Sequence, residues 1–285
     1  MIIVRMMGGL GNQMFQYALY RALFAHGKEA AVDTSWFDFH DVHNGLEIHT
    51  VFGLSLAMPP LDKLKALGED MSSIFWRAVH KYIRHKPTFY AKYGVEAVGY
   101  FPEVFNFDEK YLSGYWQNER YFRGIADELR SFYSFPVLIE EKNVRAAEEM
   151  ARAESVSVHV RLGDYQNEPL LQGICDEGYY ARAIARVKEE VEHPRFFVFS
   201  NDLVWCRAYL DVEDAVFVDW NQAEKSYRDM QLMSLCKHHI VANSSFSWWG
   251  AWLAHSGGLT IAPKSWMNDV SCKTEDMSPA DWVTI

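Results

Sequence analysis

Val156-Ser-Val-His-Val-Arg-Leu-Gly-Asp-Tyr165 decides how this chain is read. Val156, Val158 and Val160 alternate with Ser157, His159 and Arg161, the period-two pattern of a strand, and the run breaks at Leu162-Gly163-Asp164. One face of the strand is apolar. The other carries an imidazole and ends on a guanidinium. In parallel α/β sheets, ligands bind outside the carboxyl ends of the strands. A guanidinium there has a planar donor fork that matches phosphate oxygens. The competing reading is a strand exit whose Arg161 makes a surface ion pair.

Downstream the pattern alternates regularly. Strands are expected at Val156–Arg161, Phe196–Ser200, Ala215–Val218, His239–Ala242 and Leu259–Ala262, with helices at Gly178–Val191, Asp202–Leu210, Ser226–Cys236 and Ser245–His255. Strands and helices in alternation predict a doubly wound parallel sheet. Two further strand exits carry polar groups. Phe199-Ser-Asn-Asp202 offers Asn201 and Asp202, which line a ligand or simply cap the next helix. Ala242-Asn-Ser-Ser-Phe-Ser-Trp-Trp-Gly-Ala251 runs a strand into Ser244, Ser245 and a helix. Hydroxyls and free amides at a helix amino terminus make a phosphate cradle. The serines alone also serve as caps, but with Arg161 they complement a pyrophosphate. Asp229, near the start of the preceding helix, can accept the paired donors of a guanine edge; the alternative is a stabilising acid in a first turn.

The N-terminal half is less regular. Ile2–Met7 reads as a strand, Gly8-Gly-Leu-Gly-Asn-Gln13 as a glycine loop, Met14–His26 as a helix closed by Gly27, and Glu29–Asp33 as a second strand. Such a turn lets backbone amides approach a ligand, or it is a tight packing turn. Its spacing is not GxGxxG, so no dinucleotide fingerprint is assigned. Residues 36–96 are aromatic and acidic, and the irregular spacing of His40, His43 and His49 favours structural or substrate-lining roles over a metal site. Helices are expected at Leu61–Leu67 and Ser73–Arg84, and strands at Val98–Phe101 and Ser113–Trp116. Gly114-Tyr-Trp-Gln-Asn-Glu119 mixes aromatics, amides and a carboxylate, which suits a sugar or a cap on a helix at Glu119–Phe132. The charged helix Val144–Ala153 places the boundary of two domains near 150, giving 1–150 and 151–285.

The 285 residues suit about two domains. A net charge of −10 argues against nucleic acid or an anionic membrane as the main partner. Aromatics make up 15% of the chain, with 10 Trp, which suits sugar stacking although core packing accounts for most of them. Cys175, Cys206, Cys236 and Cys272 show no metal-ligand spacing and read as reduced thiols. No stretch reaches the roughly 18 apolar residues of a membrane span, and the start of the chain is too short for a signal peptide. A cytoplasmic protein is expected. No Asp-x-Asp pair flanks the strands, so a diphosphate would be offset by Arg161 and helix amides, with no metal.

Gly8-Gly-Leu-Gly-Asn-Gln-Met-Phe-Gln-Tyr-Ala18, His159-Val-Arg-Leu-Gly-Asp164 and Asn243-Ser-Ser-Phe-Ser-Trp-Trp-Gly-Ala251 together resemble α-1,2-fucosyltransferases of glycosyltransferase family 11, in their short bacterial form. Gly114-Tyr-Trp-Gln117, Phe199-Ser-Asn-Asp202 and Ala262-Pro-Lys264 fit the same family. The resemblance implies an α/β, GT-B-like fold of two Rossmann-like domains with a cleft between them. The first would face the acceptor and the second would bind GDP-β-L-fucose. It implies metal-independent, inverting transfer to the 2-hydroxyl of a terminal β-galactoside, with no cofactor besides the donor. Arg161 would hold the β-phosphate, His159 and Asp229 the guanosine, and Ser244 and Ser245 the diphosphate. Gly11, Asn201, Asp202, Asn243 and Phe246 complete the expected donor site. Asn12 would lie at the reacting centre. The base is Asp164, unless that residue orients Arg161, with Glu168 the next carboxylate. Gln13, Trp36, Tyr115, Trp116 and Gln117 are the expected acceptor contacts, for lactose, lacto-N-biose, N-acetyllactosamine or a glycan repeat.

The resemblance has two departures. Leu162 stands where many relatives carry a second basic residue, which shifts the phosphate load to Arg161 and Lys264. His239 stands where a neutral polar residue is expected. A transferase of another GDP-sugar shares the same donor frame. A carbohydrate- or nucleotide-binding protein without turnover accounts for the aromatics but not for the convergent strand ends.

Overall fold

Strand β1 (Ile2–Arg5), buried throughout, opens the computed structural model. The structure describes residues 1–40, 43–67, 89–90, 99–268 and 277–285, with the side chains of 89, 90, 164 and 166 excluded. The expected helix Ser73–Arg84, Val98 and Cys272 lie outside the described residues. The chain divides into two compact units, Met1–Ser134 and Phe135–Ile285. The division therefore falls ahead of the charged helix, where the sequence placed it near 150.

In the first unit β1 lies between β2 (Ala30–Asp33) and β4 (Lys110–Leu112), and β3 (Phe89–Tyr90) follows in a parallel 4-stranded sheet of order β2-β1-β4-β3. The helices are α1 (Leu10–Ala25), α2 (Glu47–Phe52), α3 (Leu61–Leu67) and α4 (Ala126–Phe132). Helix α1 starts at Leu10, so Gly11, Asn12 and Gln13 form its first turn and are not a loop before it. Its side chains are buried almost all round, as in a core helix. Gly27, at φ +71°, ends it in the left-handed conformation.

Three sequence expectations fail between 99 and 132. Neither Gly99–Phe101 nor Ser113–Trp116 is a strand. The extended run stops at Leu112, and Trp116 sits at φ +55°, which no strand accommodates. The single helix expected over Glu119–Phe132 is two 3₁₀ turns, Glu119–Tyr121 and Arg123–Ile125, before α4. Phe122 and Ile125, at φ −132° and −125°, interrupt the helical backbone at each junction.

The second unit follows its predicted alternation closely. Its elements are α5 (Glu141–Arg152), β5 (Glu154–Val160), α6 (Glu177–Glu190), β6 (Pro194–Ser200), α7 (Leu203–Tyr209), β7 (Val216–Val218), α8 (Tyr227–Leu235), β8 (His238–Ile240), α9 (Ser245–Trp252), β9 (Thr260–Ala262) and β10 (Val283–Thr284). They form a parallel 6-stranded sheet of order β10-β9-β8-β5-β6-β7. Strand β10, absent from the sequence expectation, closes the edge beside β9. The chain runs outward from β5 to β6 and β7, then returns to β8 on the other side of β5. That reversal is a topological switch point, where helices on opposite faces part and leave a crevice at the carboxyl ends of β5 and β8.

Strand β5 is buried on both faces but keeps its alternation. Val156, Val158 and Val160 join Tyr179, Tyr180, Ala183 and Val187 of α6 and Cys206 of α7 in one apolar core. Ser155, Ser157 and His159 occupy the other face. Helix α9 lies on that side, with the Phe246 ring 5.8 Å from His159. Helix α8 packs on α9 so closely that a Cβ on Gly250 would stand 2.9 Å from Met233 Cβ. Trp249 meets Trp248 and Trp252 at ring distances of 4.9 and 5.1 Å, so these aromatics are core. His239, buried beside Ser157, accepts or donates at 2.8 Å between Nδ1 and the Ser157 hydroxyl. Burial lowers its pKa to about 3. The imidazole is therefore neutral, which resolves its standing in a position for neutral polar residues. Cys175, Cys206 and Cys236 are free and buried.

Gly250→Ala should destabilise the protein by about 1–3 kcal/mol, because the added methyl has no room against Met233. Urea unfolding checks this against Gly124→Ala, where no atom lies within 4 Å of the new Cβ and the change should stay within about 0.5 kcal/mol.

Candidate active site

At the crevice of the second unit, β5 ends on His159 and Val160, and Arg161 follows directly. His159 is 6% exposed, and its Nδ1 has no partner among the described residues. Burial first, and the Arg161 charge second, lower its pKa to about 3. It stands as a neutral imidazole with one nitrogen to donate and one to accept. Its backbone carbonyl is fixed by the Tyr180 hydroxyl, which donates at 3.0 Å. The Arg161 guanidinium lies 5.5 Å over the Tyr165 ring, within reach of a cation–π contact.

Asn201 joins two strand exits. Its Oδ1 accepts from the Leu162 backbone N–H at 3.0 Å, tying the end of β6 to the loop after β5. Gly163 is required there: it sits at φ +52°, and a Cβ would come within 2.4 Å of Asn201 Nδ2. Asp202 takes the plainer of its two readings. Its carboxylate caps α7 by accepting from Trp205 N–H at 3.0 Å. The side chain of Asp164 lies outside the described part of the structure. Glu168 is exposed.

Strand β8 exits into Asn243, Ser244 and α9. The Asn243 amide donates to the Leu171 and Trp266 carbonyls at 3.2 and 3.4 Å, so it holds loops and has no donor left for a ligand. Ser244 caps α9 by accepting from Phe246 N–H at 3.3 Å. Ser245 and Phe246 are half-buried in the first turn, which contains no acidic residue. This helix amino terminus therefore keeps its favourable field for an anion. Lys264 is exposed just past β9 on the same edge of the sheet.

Asp229 sits in the first turn of α8, which a parallel sheet also starts at the carboxyl edge. Its Oδ1 accepts from Asn221 Nδ2 at 2.8 Å. Burial raises its pKa to about 7, against the Asn221 hydrogen bond that lowers it. Sequence reasoning missed Asn221 and the residue behind it, Asn143, because neither lies in a motif. The one available signal was an Asn just ahead of the expected charged helix, in what the structure shows to be the first turn of α5.

In the first unit, the glycine turn is held by an exchange of caps. The Glu47 carboxylate, at the start of α2, accepts from the Leu10 N–H at the start of α1 and from Asn44 Nδ2 at 3.0 Å. In return Gln13 Oε1 of α1 accepts from the Glu47 and Ile48 N–H groups at 2.9 and 3.0 Å, and its Nε2 donates to the Gly8 and Gly45 carbonyls at 2.9 and 2.8 Å. Burial raises the Glu47 pKa. Gln16, which no sequence motif singles out as a site residue, accepts from Met7 N–H at 2.9 Å and donates to the Gly114 carbonyl at 3.1 Å.

Burial corrects two acceptor assignments. Gln13 is 0% exposed with its amide fully engaged, and Trp116 is also 0% exposed. Both build the wall of the unit and present no surface to a sugar. Trp36 is buried and stacks on His40 at 4.4 Å. Half-buried Gln117 donates to Asn12 Oδ1 at 2.7 Å, so these two expected residues do meet; Tyr115 is half-buried beside them, and Gly11 is buried in the turn. His40 and His49 are tied to the Trp36 and Leu54 carbonyls, each at 2.8 Å.

A solved α-1,6-fucosyltransferase, NodZ, co-crystallised with GDP, has the same fold: TM-score 0.52, covering 89% of this chain and 92% of that one at 15% identity. Two Rossmann-like α/β units of parallel sheet give the chain a fold of the GT-B class. The family model of glycosyl transferase family 11 matches residues 85–285, and the chain belongs to that family. An Escherichia coli protein named alpha-1,2-colitosyltransferase is 32% identical over 100% of this chain and 98% of its own length. The Escherichia coli O-antigen biosynthesis glycosyltransferase WbnK is 27% identical over 98% of each. Among the described residues, no helix is long and apolar enough to cross a membrane.

Gln13→Leu should lower stability by about 2–4 kcal/mol, since it strands buried N–H and C=O groups at both helix starts. Denaturant unfolding measures the loss, and Trp36→Phe, which keeps the ring stack on His40, should stay well below it.

Proposed function

We propose that this enzyme transfers a 6-deoxy-L-galactose unit, L-fucose, from its β-linked GDP donor to the 2-hydroxyl of a terminal β-galactoside, with inversion and without a metal ion. The observation that carries the donor site is the contrast between two helix starts. The amino terminus of α1 is already answered by the Glu47 carboxylate, which would repel a diphosphate. That of α9 has no acid in its first turn and opens at the switch point beside Arg161. The diphosphate is assigned to Arg161, Ser245 and the α9 amides, with Lys264 beside them. The guanine base of the donor is assigned to neutral His159 and to Asp229.

In the reaction, the bond between the sugar C1 and the β-phosphate oxygen breaks, and its electron pair leaves with GDP. The acceptor oxygen forms the new bond to C1 from the opposite face, and its proton passes to a base. Arg161 and the helix amides bind the leaving diphosphate more tightly as its charge grows, which is transition-state stabilisation. Asp164 is proposed as the base. Asn12, held by Gln117, orients the acceptor hydroxyl. Synthesis of a surface polysaccharide in the cytoplasm fits this chemistry and the naming of the E. coli relatives.

A second donor is favoured by one finding, the relative named for colitose transfer. Colitose is L-fucose without its 3-hydroxyl. A site that hydrogen-bonds this hydroxyl rejects the deoxy sugar strongly, whereas an apolar wall discriminates only weakly. GDP release from GDP-fucose, GDP-colitose and GDP-mannose, with lactose and in EDTA, is the direct test. GDP-fucose or GDP-colitose should turn over, GDP-mannose should not, and EDTA should change nothing. Arg161→Ala should lower kcat/KM by about two to three decades. Metal dependence, or full activity in that variant, would overturn the diphosphate assignment.

A further inference from the structure

Behind Asp229 stands a chain of buried amides that the donor reaction does not itself require. Asn143 of α5 is 0% exposed. Its Nδ2 donates to Asn221 Oδ1 at 2.9 Å, and its Oδ1 accepts from Asn221 Nδ2 at 3.0 Å and from Trp220 Nε1 at 2.6 Å. Asn221 Nδ2 donates onward to Asp229 Oδ1 at 2.8 Å. Both amides are thus locked face to face, with the indole N–H fixing the orientation of Asn143. A buried amide pair is costly unless every group is satisfied, and here the geometry satisfies them by pointing one N–H at a carboxylate. Asp229 Oδ2 receives no bond among the described residues, so the relay engages one oxygen and leaves the other.

Charges around Asp229 do not compete with this. Arg228, beside it, donates to the Pro136 and Val137 carbonyls and to Gln231 at 2.7, 3.2 and 2.7 Å, and faces Glu140 at 3.4 Å. Lys225 also pairs with Glu140 at 3.5 Å, and Lys142 of α5 lies 5.5 Å over the Trp220 ring. Helix α9, packed on the other side of α8, carries no charged residue. Burial, which raises the pKa of this carboxyl, and the Asn221 bond, which lowers it, are what shift its titration.

We propose that Asn143 and Asn221 form a positioning relay that orients Asp229 and holds it as a carboxylate acceptor for the paired N–H donors of a guanine base. The inference rests on the donor reading above. Asn221 and Asn143 are positioning residues, acting through Asp229. Guanine offers donors to Asp229, so binding needs the ionised form, and affinity for GDP should fall as pH drops through about 7. Without the Asn221 bond the charged form loses its one hydrogen-bonded support, so the carboxyl should titrate at higher pH.

The experiment is the pH dependence of GDP binding by calorimetry, together with ¹³C NMR titration of the Asp229 carboxyl, identified by its absence in Asp229→Asn. In Asn221→Ala the titration should move to higher pH. GDP affinity near neutral pH should fall by about 10- to 100-fold, the range for a lost hydrogen bond to a charged group. Asn143→Ala should shift both in the same direction by less, which keeps the test open if Asn221→Ala folds poorly. An unmoved carboxyl titration in folded variants overturns the relay, even if Asp229→Asn abolishes GDP binding. If instead the titration moves but Asp229→Asn binds GDP as the wild type does, the relay to Asp229 stands and the guanine assignment falls.

Discussion

A helix amino terminus carries N–H groups that must find an acceptor, and the two units answer that demand in opposite ways. In the first, α1 and α2 supply each other: Glu47 accepts from Leu10, and Gln13 accepts from Glu47 and Ile48. The turn is closed by its own carboxylate. In the second, α9 is capped by the neutral Ser244 hydroxyl and has no acid in its first turn. A protein of net charge −10 has little long-range attraction for an anionic donor, so a local positive field has to supply it. The open helix start beside Arg161 is where such a field exists.

That location follows from topology. The strand order β10-β9-β8-β5-β6-β7 parts the helices at the carboxyl ends of β5 and β8. Strand β5 then has two tasks. Its valines fill the core against α6 and α7, while Ser155, Ser157 and His159 face the α9 side. Burial keeps His159 and His239 neutral, so this face is polar without being charged. Asn201 and Gly163 tie the β5 and β6 exits together, which fixes the backbone that carries Arg161.

Much of this was legible in the sequence. The alternation of Val156–Arg161, the five expected strands of the second unit and the run into Ser244 and Ser245 are local patterns, and the structure reproduces them. What could not be read depends on contacts distant in sequence. Lys110–Leu112 and Val283–Thr284 are strands too short to show a period, and pairing alone defines them. Gln13 looks like a ligand-binding amide, yet residues over thirty positions away occupy its polar atoms. Trp116 looks like a sugar platform, but its left-handed backbone turns the ring inward among Tyr121 and its neighbours. Asn143 lies in no motif, and its bonds to Asn221 and Trp220 form only where α5 meets the loop after β7.

The central claim is that the diphosphate of the donor lies at the α9 start, not at the glycine turn. A crystal structure with GDP bound tests it most directly. The account predicts diphosphate oxygens within about 3 Å of the Arg161 guanidinium and the first α9 amides. Diphosphate at Gly8–Gln13, with Glu47 displaced from Leu10, would contradict it.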